Sequence, residues 1–431
     1  MSLLTSLNTG TSGLQAASQD LNVIGDNIAN ANTIGFKASR AAFQDALLQQ
    51  VIGAPGGGQL GLGTNLQSIQ RIITQGALSN TGQVTDLALQ GSGFFLMRGN
   101  YNGANGQFYS RAGQFTIDKT GYLTNLDSLR LQGYPADSRG NVQGTLGDLQ
   151  VGNATSLANP TSKVTMKAKL DPNAPVLTFD PLDAGNTSNF SSSVTVYDSL
   201  GQDYPVTVYW NRTAAGAWDW HAMVPDGAAV AGGTANQPYE IATGTATFDT
   251  QGRLDTVTQT ANFNPLNAVN PQPLTFDFGD DLASGGTGLN GVVQNVGGNG
   301  SELTFTSQDG NSAGSLASIQ INNKGEVLGA FTNGSTRILG QVAVADFEAA
   351  DKLTRIGGNL LAESSDSGQP TIGAPAEGGR ASIAAGALEQ SNVDLANEFV
   401  RMIAAQRGFQ ANSKTITTAD QLLGELMQLK R

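Results

Sequence analysis

The chain carries the same kind of apolar stripe at both of its ends, and this restricts its fold more than any other feature. Near the N-terminus Leu7, Leu14, Leu21 and Ile28 recur every seven residues, with Leu3, Gly10, Ala17, Ile24 and Ala31 in the intervening position. Near the C-terminus Leu388, Leu395, Met402, Phe409, Ile416 and Leu423 keep the same step. Phe399 and Met427 take the second seam position there, and Gln406, Ser413 and Asp420 are its polar members. A seven-residue repeat keeps a series on one face of a helix, as in a coiled coil. The spacing therefore predicts a helix over residues 2–31 and another from Leu388 onward, the second reaching roughly 60 Å at 1.5 Å per residue. Gly10, Gly13 and Gly25 weaken the first helix when it stands alone, while small seam residues let a neighbour approach closely. The simplest arrangement pairs the two ends in space and inserts the rest between them. Apolar area left over would be buried against other copies of the chain.

Between the stripes the periodicity changes. Residues 53–64, GAPGGGQLGLGT, are a Gly-rich break, and Gly53, Gly56, Gly57, Gly58, Gly61 and Gly63 are hinge candidates. Short alternating segments follow, such as Val84–Leu89, Gly93–Met97, Gln114–Ile117 and Tyr122–Thr124, with turn residues every eight to twelve positions. That pattern reads as antiparallel β-structure. Ile319–Phe347 has the same character, with NNKG and TNGS as turns. In the middle, Ser192–Val196 and Val206–Tyr209 read as strands, and Trp210, Trp218 and Trp220 are expected to anchor a small sandwich or barrel. Gly285–Gly300 reads as a loose linker.

The fold class expected is mainly β with long N- and C-terminal α-helices forming a coiled-coil-like core, and with nested, discontinuous β-domains. Its parts are an inner helical domain (1–31 and 388–431), a connecting or hinge region (32–74 and 348–387), an inner β-domain (75–145 and 303–347) and an outer β-domain (146–302).

Charge and composition exclude several function classes. Lys and Arg number 23 against 35 Asp and Glu, a net charge of −12, and no basic cluster exists to neutralise phosphates. Nucleic acid and anionic membrane are therefore poor partners. No cysteine is present, which removes disulfides, thiolate-held clusters and thiol nucleophiles. The opening MSLLTSLNTG has neither the basic region nor the apolar run of a signal peptide, and no stretch is long enough to span a bilayer. Charged residues are only 13% of the chain, low enough to limit repulsion between copies.

No residues assemble into a catalytic pattern. His221, the single histidine, reads as a packing or solvent-edge residue, since a triad needs partners that nothing marks. The stretch GGGQLGLG lacks the Lys-Ser/Thr ending of a phosphate loop. Asp180/Asp183 and Asp277/Asp280/Asp281 lack calcium-loop spacing and read as turn residues. Neither catalytic, cofactor nor metal residues are expected, and no cofactor.

Several segments nevertheless carry a resemblance. LNVIGDNIANANTIGFKASRAAFQDAL, Leu21–Leu47, resembles the signature of flagellar rod and hook axial proteins, with Asn27, Asn30, Asn32, Thr33, Gly35, Phe36 and Lys37 in its shared core. Glu389–Lys430 is similar to the family's C-terminal helix, and Gln75–Arg98, Phe108–Asn125 and Gly314–Phe347 to its β-segments. These cover about half of the chain in the family's order, and Phe409 stands where a Tyr is frequent. The length and the opening resemble the hook members more than the shorter distal rod members. The rod reading, and that of a secreted β-rich adhesin or binding module, remain as alternatives.

The resemblance implies a tubular homopolymer with terminal helices at its axis. It also implies export through the flagellar type III apparatus without a cleaved signal peptide, and an extracellular place in the hook. Implied partners are the distal rod protein, the hook–filament junction protein, the hook cap and the hook-length-control protein, with neither nucleic acid nor membrane insertion.

Overall fold

A computed structural model describes residues 3–46, 49–50, 59–294, 297 and 300–429. The chain is mainly β, with a helix at Leu3–Ala29 and another at Leu395–Leu429. It divides into two compact units. The first comprises Met1–Ala154, Ser318–Gly329 and Arg337–Arg431, and the second Thr155–Ala317 and Ala330–Thr336.

In the first unit, outgoing and returning parts of the chain share sheets. Leu78–Asn80 pairs with Ala387–Glu389, and Leu87–Gln90 with Ser382–Ala385, both antiparallel. Phe94–Tyr101 forms a hairpin with Ala104–Ser110, and its Phe94 and Phe95 meet the returning strand Val344–Asp346. These strands put Phe94, Leu96, Tyr109, Phe347 and Leu361 into one core, where the Tyr109 and Phe347 rings meet edge to face at 4.8 Å. A separate hairpin, Ser39–Asp45 with Thr64–Arg71, follows the N-terminal helix and carries a bulge at Ala42/Phe43.

The second unit closes two sheets over one core. Five strands run consecutively in one sheet: Phe190–Tyr197, Asp203–Ala214, Ala217–Val224, Tyr239–Phe248 and Leu254–Val257. The other is built around Lys163–Leu170, which has Thr275–Asp277, Val293–Gln294 and Glu302–Gln308 as neighbours. Burial alternates along Lys163–Leu170 and Asp203–Ala214, the period of a strand with one face inward. Trp210, Trp218 and Trp220 are fully buried, and Phe278 packs 4.9 Å from both Trp210 and Trp220. Two distinct sheets across a core make this an open, two-layer packing and not one continuous closed sheet.

One turn recurs in both units. The Asp118 carboxylate accepts the N–H groups of Thr120 and Tyr122 at 2.8 and 2.9 Å, and Asp249 accepts those of Gln251 and Arg253 at 2.9 Å each. A glycine fills the fourth position, with φ +87° at Gly121 and +79° at Gly252. Asn125 builds the same turn with Asp127 and Leu129, yet its fourth residue is Ser128, held at φ +62°.

Two expectations need correction. Leu388 is not helical: it is a buried strand residue opposite Ser79, and the helix begins only after Asp394, whose side chain accepts the Ala396 and Asn397 N–H groups at 2.9 and 3.2 Å. A strand pairing on one side and an N-cap on the other set that boundary. The described part of Gly285–Gly300 is not a loose linker either. Val292 is buried and donates to Phe278 at 2.8 Å, Leu254 donates to Gly288 at 2.9 Å, and Val293–Gln294 is a strand. Its glycines let backbones touch, since a Cβ on Gly291 would collide with the Phe278 carbonyl.

Candidate functional site

The two terminal helices lie antiparallel in the first unit. Gly10 faces Ile416, Gly13 faces Asn412, and Asp20 reaches Arg401 at 3.4 Å. Closest approach is made by the small residues: a Cβ on Gly10 would sit 2.9 Å from Ile416, and one on Gly13 2.6 Å from the Asn412 amide. Leu7, Leu14, Leu21 and Ile28 flank this contact and are half-buried, whereas Gly25 has open space around it.

On the C-terminal helix the members of the seven-residue stripe differ in burial. Met402, Ile416 and Leu423 are half-buried, but Leu395, Phe399 and Phe409 are 42%, 50% and 40% exposed. The C-terminal helix meets the N-terminal one through Arg401, Asn412 and the stripe residue Ile416, and Ala405 and Gly408 line a pocket with Ala16 and Asp20. Val400, Ile403 and Leu422 are exposed as well, which leaves an apolar surface uncovered. Arg401 also pairs with Glu398 at 3.0 Å, and burial raises the Asp20 carboxyl against the pull of Arg401.

Below the helix pair in sequence lies a buried polar junction that ties the chain's two ends together. Asn27 is fully buried and treats Ser39 as a strand neighbour would. It donates to the Ser39 carbonyl at 2.8 Å and accepts the Ser39 N–H at 2.9 Å. Asn30 donates to Asp26 and accepts from Thr33 at 3.1 Å, while Asn32 is exposed. Gly35 has φ +69° and donates to the Glu389 carbonyl at 2.7 Å; a Cβ there would lie 2.6 Å from the Ala112 nitrogen. Only glycine suits both the backbone angle and that approach. Phe36 is buried under the Arg355 guanidinium, 5.1 Å from its ring centre.

The centre of the junction is Glu389, whose side chain is fully buried. One oxygen accepts from Lys37 at 2.6 Å and from the Gly76 N–H at 2.9 Å, and the other from Arg111 at 3.2 Å. Lys37 also donates to the Thr74 carbonyl at 2.8 Å and Arg111 to that of Gly91 at 2.6 Å. Burial pushes the Lys37 ammonium below its ordinary range, with Glu389 opposing, and lowers Arg111 in the same way. Beside them Asn392 accepts from Ala38 at 2.7 Å and donates to Ile72 at 2.9 Å. Lys37 was legible in the sequence, but Glu389, Arg111 and Asn392 were not singled out. The available signal was a lone acid in the apolar run AGALEQ, more than 350 positions from the lysine that needs it.

The remaining candidates are dispersed. Gly53, Gly56, Gly57 and Gly58 lie outside the described residues. Gly63, φ +105°, packs on Ser12 of the N-terminal helix, and Gly61 has open space. His221 contacts Glu240 at 3.0 Å and stacks on Phe179 at 3.9 Å. Asp180 caps a short 3-10 helix by accepting from Leu182 at 2.9 Å, and Asp277 pairs with Lys163 at 2.8 Å. Among the described residues no cluster of His, Asp and Glu has metal-site geometry, and no helix is long and apolar enough to cross a membrane.

A β-rich body whose ends are locked together by buried charges, and whose terminal helix leaves an apolar face uncovered, defines a structural protein of the assembly-forming class. Four family profiles match the chain: "Flagella basal body rod protein" at 7–37, "Flagellar hook protein FlgE/F/G D1 domain" at 88–168, "Flagellar basal body protein FlaE D2 domain" at 162–311 and "Flagellar basal body rod FlgEFG protein C-terminal" at 384–429. The chain is 35% identical to the flagellar hook protein FlgE of Escherichia coli, over 97% of this chain and 98% of that one. It is 33% identical to the flagellar hook protein FlgE of Treponema pallidum, with both chains covered in full. A crystal structure of Helicobacter pylori flagellar hook protein FlgE2 is similar at TM-score 0.47 and 15% identity, covering 71% of this chain and 98% of that one. The chain belongs to the flagellar hook protein family.

Proposed function

We propose that this chain is the repeating subunit of a curved, flexible tube that joins the flagellar rod to the filament and passes motor torque along as a universal joint. The observation that carries this reading is the uncovered apolar face of the C-terminal helix, Leu395, Phe399, Val400, Ile403 and Phe409. A monomer gains nothing by exposing such a stripe, and burial is worth about 25 cal/mol per Å² of apolar area. Packing it on a different patch of the next copy generates an open helical polymer.

In this reading the terminal helices, Leu3–Ala29 and Leu395–Leu429, line the axis of the tube and the connecting region (32–74, 348–387) links them to the β-structure. The Gly-rich stretch from Gly53 to Gly63 would be the hinge. The role is structural and not enzymatic. Export through the flagellar type III apparatus without a cleaved signal peptide would place the chain outside the cell. There it would meet the distal rod protein, the junction protein, the cap and the length-control protein.

Leu395→Asp and Phe409→Asp test this directly. Both positions are exposed in the single chain, so each variant should fold with an unchanged unfolding transition and yet form no tubes under electron microscopy. An unpaired charge in an apolar interface is the cause of that loss. Tubes of normal length and curvature from either variant would overturn the reading.

A further inference from the structure

The first unit contains a cavity of about 350 Å³ beside the buried junction, and of the four cations on its walls three are ion-paired within the described residues. Lys37, Arg71, Arg111 and Arg355 line it. Two carboxylates serve these four cations: Glu389 is taken by Lys37 and Arg111, and Asp26 holds Arg355 at 2.7 Å. Arg71, the last residue of the strand Thr64–Arg71, makes no ion pair among the described residues. Its Nη1 is buried without a hydrogen-bond partner, and so is the Nε of Arg111, whose side chain is 2% exposed.

Buried guanidinium nitrogens without acceptors are costly, because each has given up water and gained nothing. The polar side chains nearby do not relieve them. The Asn30 Oδ1 already accepts from Thr33, and no oxygen of Asn30, Thr33 or Asn359 accepts from the two bare nitrogens. Asp351 lines an adjoining cavity with Arg71 and Arg355, yet its carboxylate lies 3.6 Å from Lys352. Burial, first, and the neighbouring charge of Arg355 lower the Arg71 pKa, with the Asp351 carboxylate opposing them.

We propose that this cavity is a binding site for a small oxyanion, a carboxylate or phosphate group, held by Arg71 together with the guanidinium of Arg111. The planar fork of arginine suits such groups, and a volume near 350 Å³ is at the small end of ligand sites. Two sources supply that chemistry: a free anion, or an acidic side chain from another copy. The second source rests on the polymer reading above. Charge favours it, since 35 acidic against 23 basic residues give packed copies a surplus of carboxylates.

The experiment titrates inorganic phosphate into the full-length monomer at constant ionic strength, with chloride as the balancing anion. Wild type is compared with Arg71→Gln and with Arg40→Gln, a control at an exposed arginine bonded to Gln70. Saturable binding weakened at least tenfold by Arg71→Gln and unchanged by Arg40→Gln is the expected result. Arg71→Gln should also melt no lower than wild type in chloride, which a merely structural role would not allow.

A second arm identifies the source. If a neighbour's carboxylate is the occupant, phosphate raises the critical concentration for assembly of wild type, and Arg71→Gln loses that sensitivity. If the occupant is a free anion, monomers bind phosphate and assembly ignores it. Equal or absent phosphate binding in wild type and Arg71→Gln, with assembly indifferent to both phosphate and the substitution, overturns the proposal. Wild type that forms no tubes defeats the polymer reading instead, and leaves the monomer titration to decide the site.

Discussion

Where the second unit is held by apolar bulk, the first is held by charge at the point where its two ends meet. In the second, all three tryptophans are buried in one core, Trp210 and Trp220 against Phe278, and sequence neighbours supply most of the sheet. In the first, Lys37, Arg111 and Glu389 sit buried together, joining segments far apart in the chain. An apolar core tolerates any arrangement that fills its volume. A buried ion cluster is satisfied in one arrangement only, so it contributes less to net stability than to selecting a single register. The difference suits an assembly subunit, whose termini must be presented in one geometry while its other unit need only stay folded.

The strongest way to break this contrast is to remove the shared acid. Glu389→Ala leaves two buried cations unpaired and should destabilise the first unit by about 3–5 kcal/mol. Every tryptophan lies in the second unit, so the expected outcome is loss of protease protection around residues 30–40 with the tryptophan fluorescence transition left in place. A transition that drops in parallel would show the two units to be one cooperative block. Trp218→Ala is the reciprocal probe, expected to cost about 3–5 kcal/mol in the second unit through the cavity it opens.

A smaller effect sharpens the comparison within the first unit. Ser128 occupies a turn position that glycine fills in the sister turns at Gly121 and Gly252. Ser128→Gly should raise stability by about 1 kcal/mol, read as a higher denaturant midpoint, because it relieves the left-handed backbone penalty. An unchanged or lowered midpoint would mean that Ser128 gains something its glycine counterparts do not.

The smallest effect is in acid. Backbone N–H groups hold Asp226 and Asp280 of the second unit, and Asp137 of the first, below the usual carboxylate range. A depressed folded-state pKa contributes stability that is present above the unfolded value, about 3.9, and disappears as pH falls through the folded one. Both units should therefore weaken below about pH 4. Flat stability between pH 5 and pH 3 would contradict these turn bonds.

Much of this was legible from residue order. Period-seven stripes marked two terminal helices, period-two segments marked strands, and Trp210, Trp218 and Trp220 marked a core. NNKG stood out as a turn, and Asn322 there accepts the Lys324 and Glu326 N–H groups at 3.0 Å each. Such signals are local: a turn or a stripe is fixed by neighbours within a few residues. Leu388 departs from the helix for the same reason: it continues the stripe's arithmetic while a strand near residue 79 claims its backbone. The glycines of 285–294 look like a linker in sequence because nothing nearby shows what their backbone touches.

The sequence by itself determined the kinds of element, their order and the apolar surplus at the ends, because propensity and periodicity act over short range. Only the tertiary structure decided which helical face meets its partner and where the C-terminal helix starts. It alone brought Glu389 to Lys37 and Arg111, and left Arg71 facing a cavity without a counter-ion. Contacts between residues hundreds of positions apart depend on how whole sheets stack, and no window of residues holds that information.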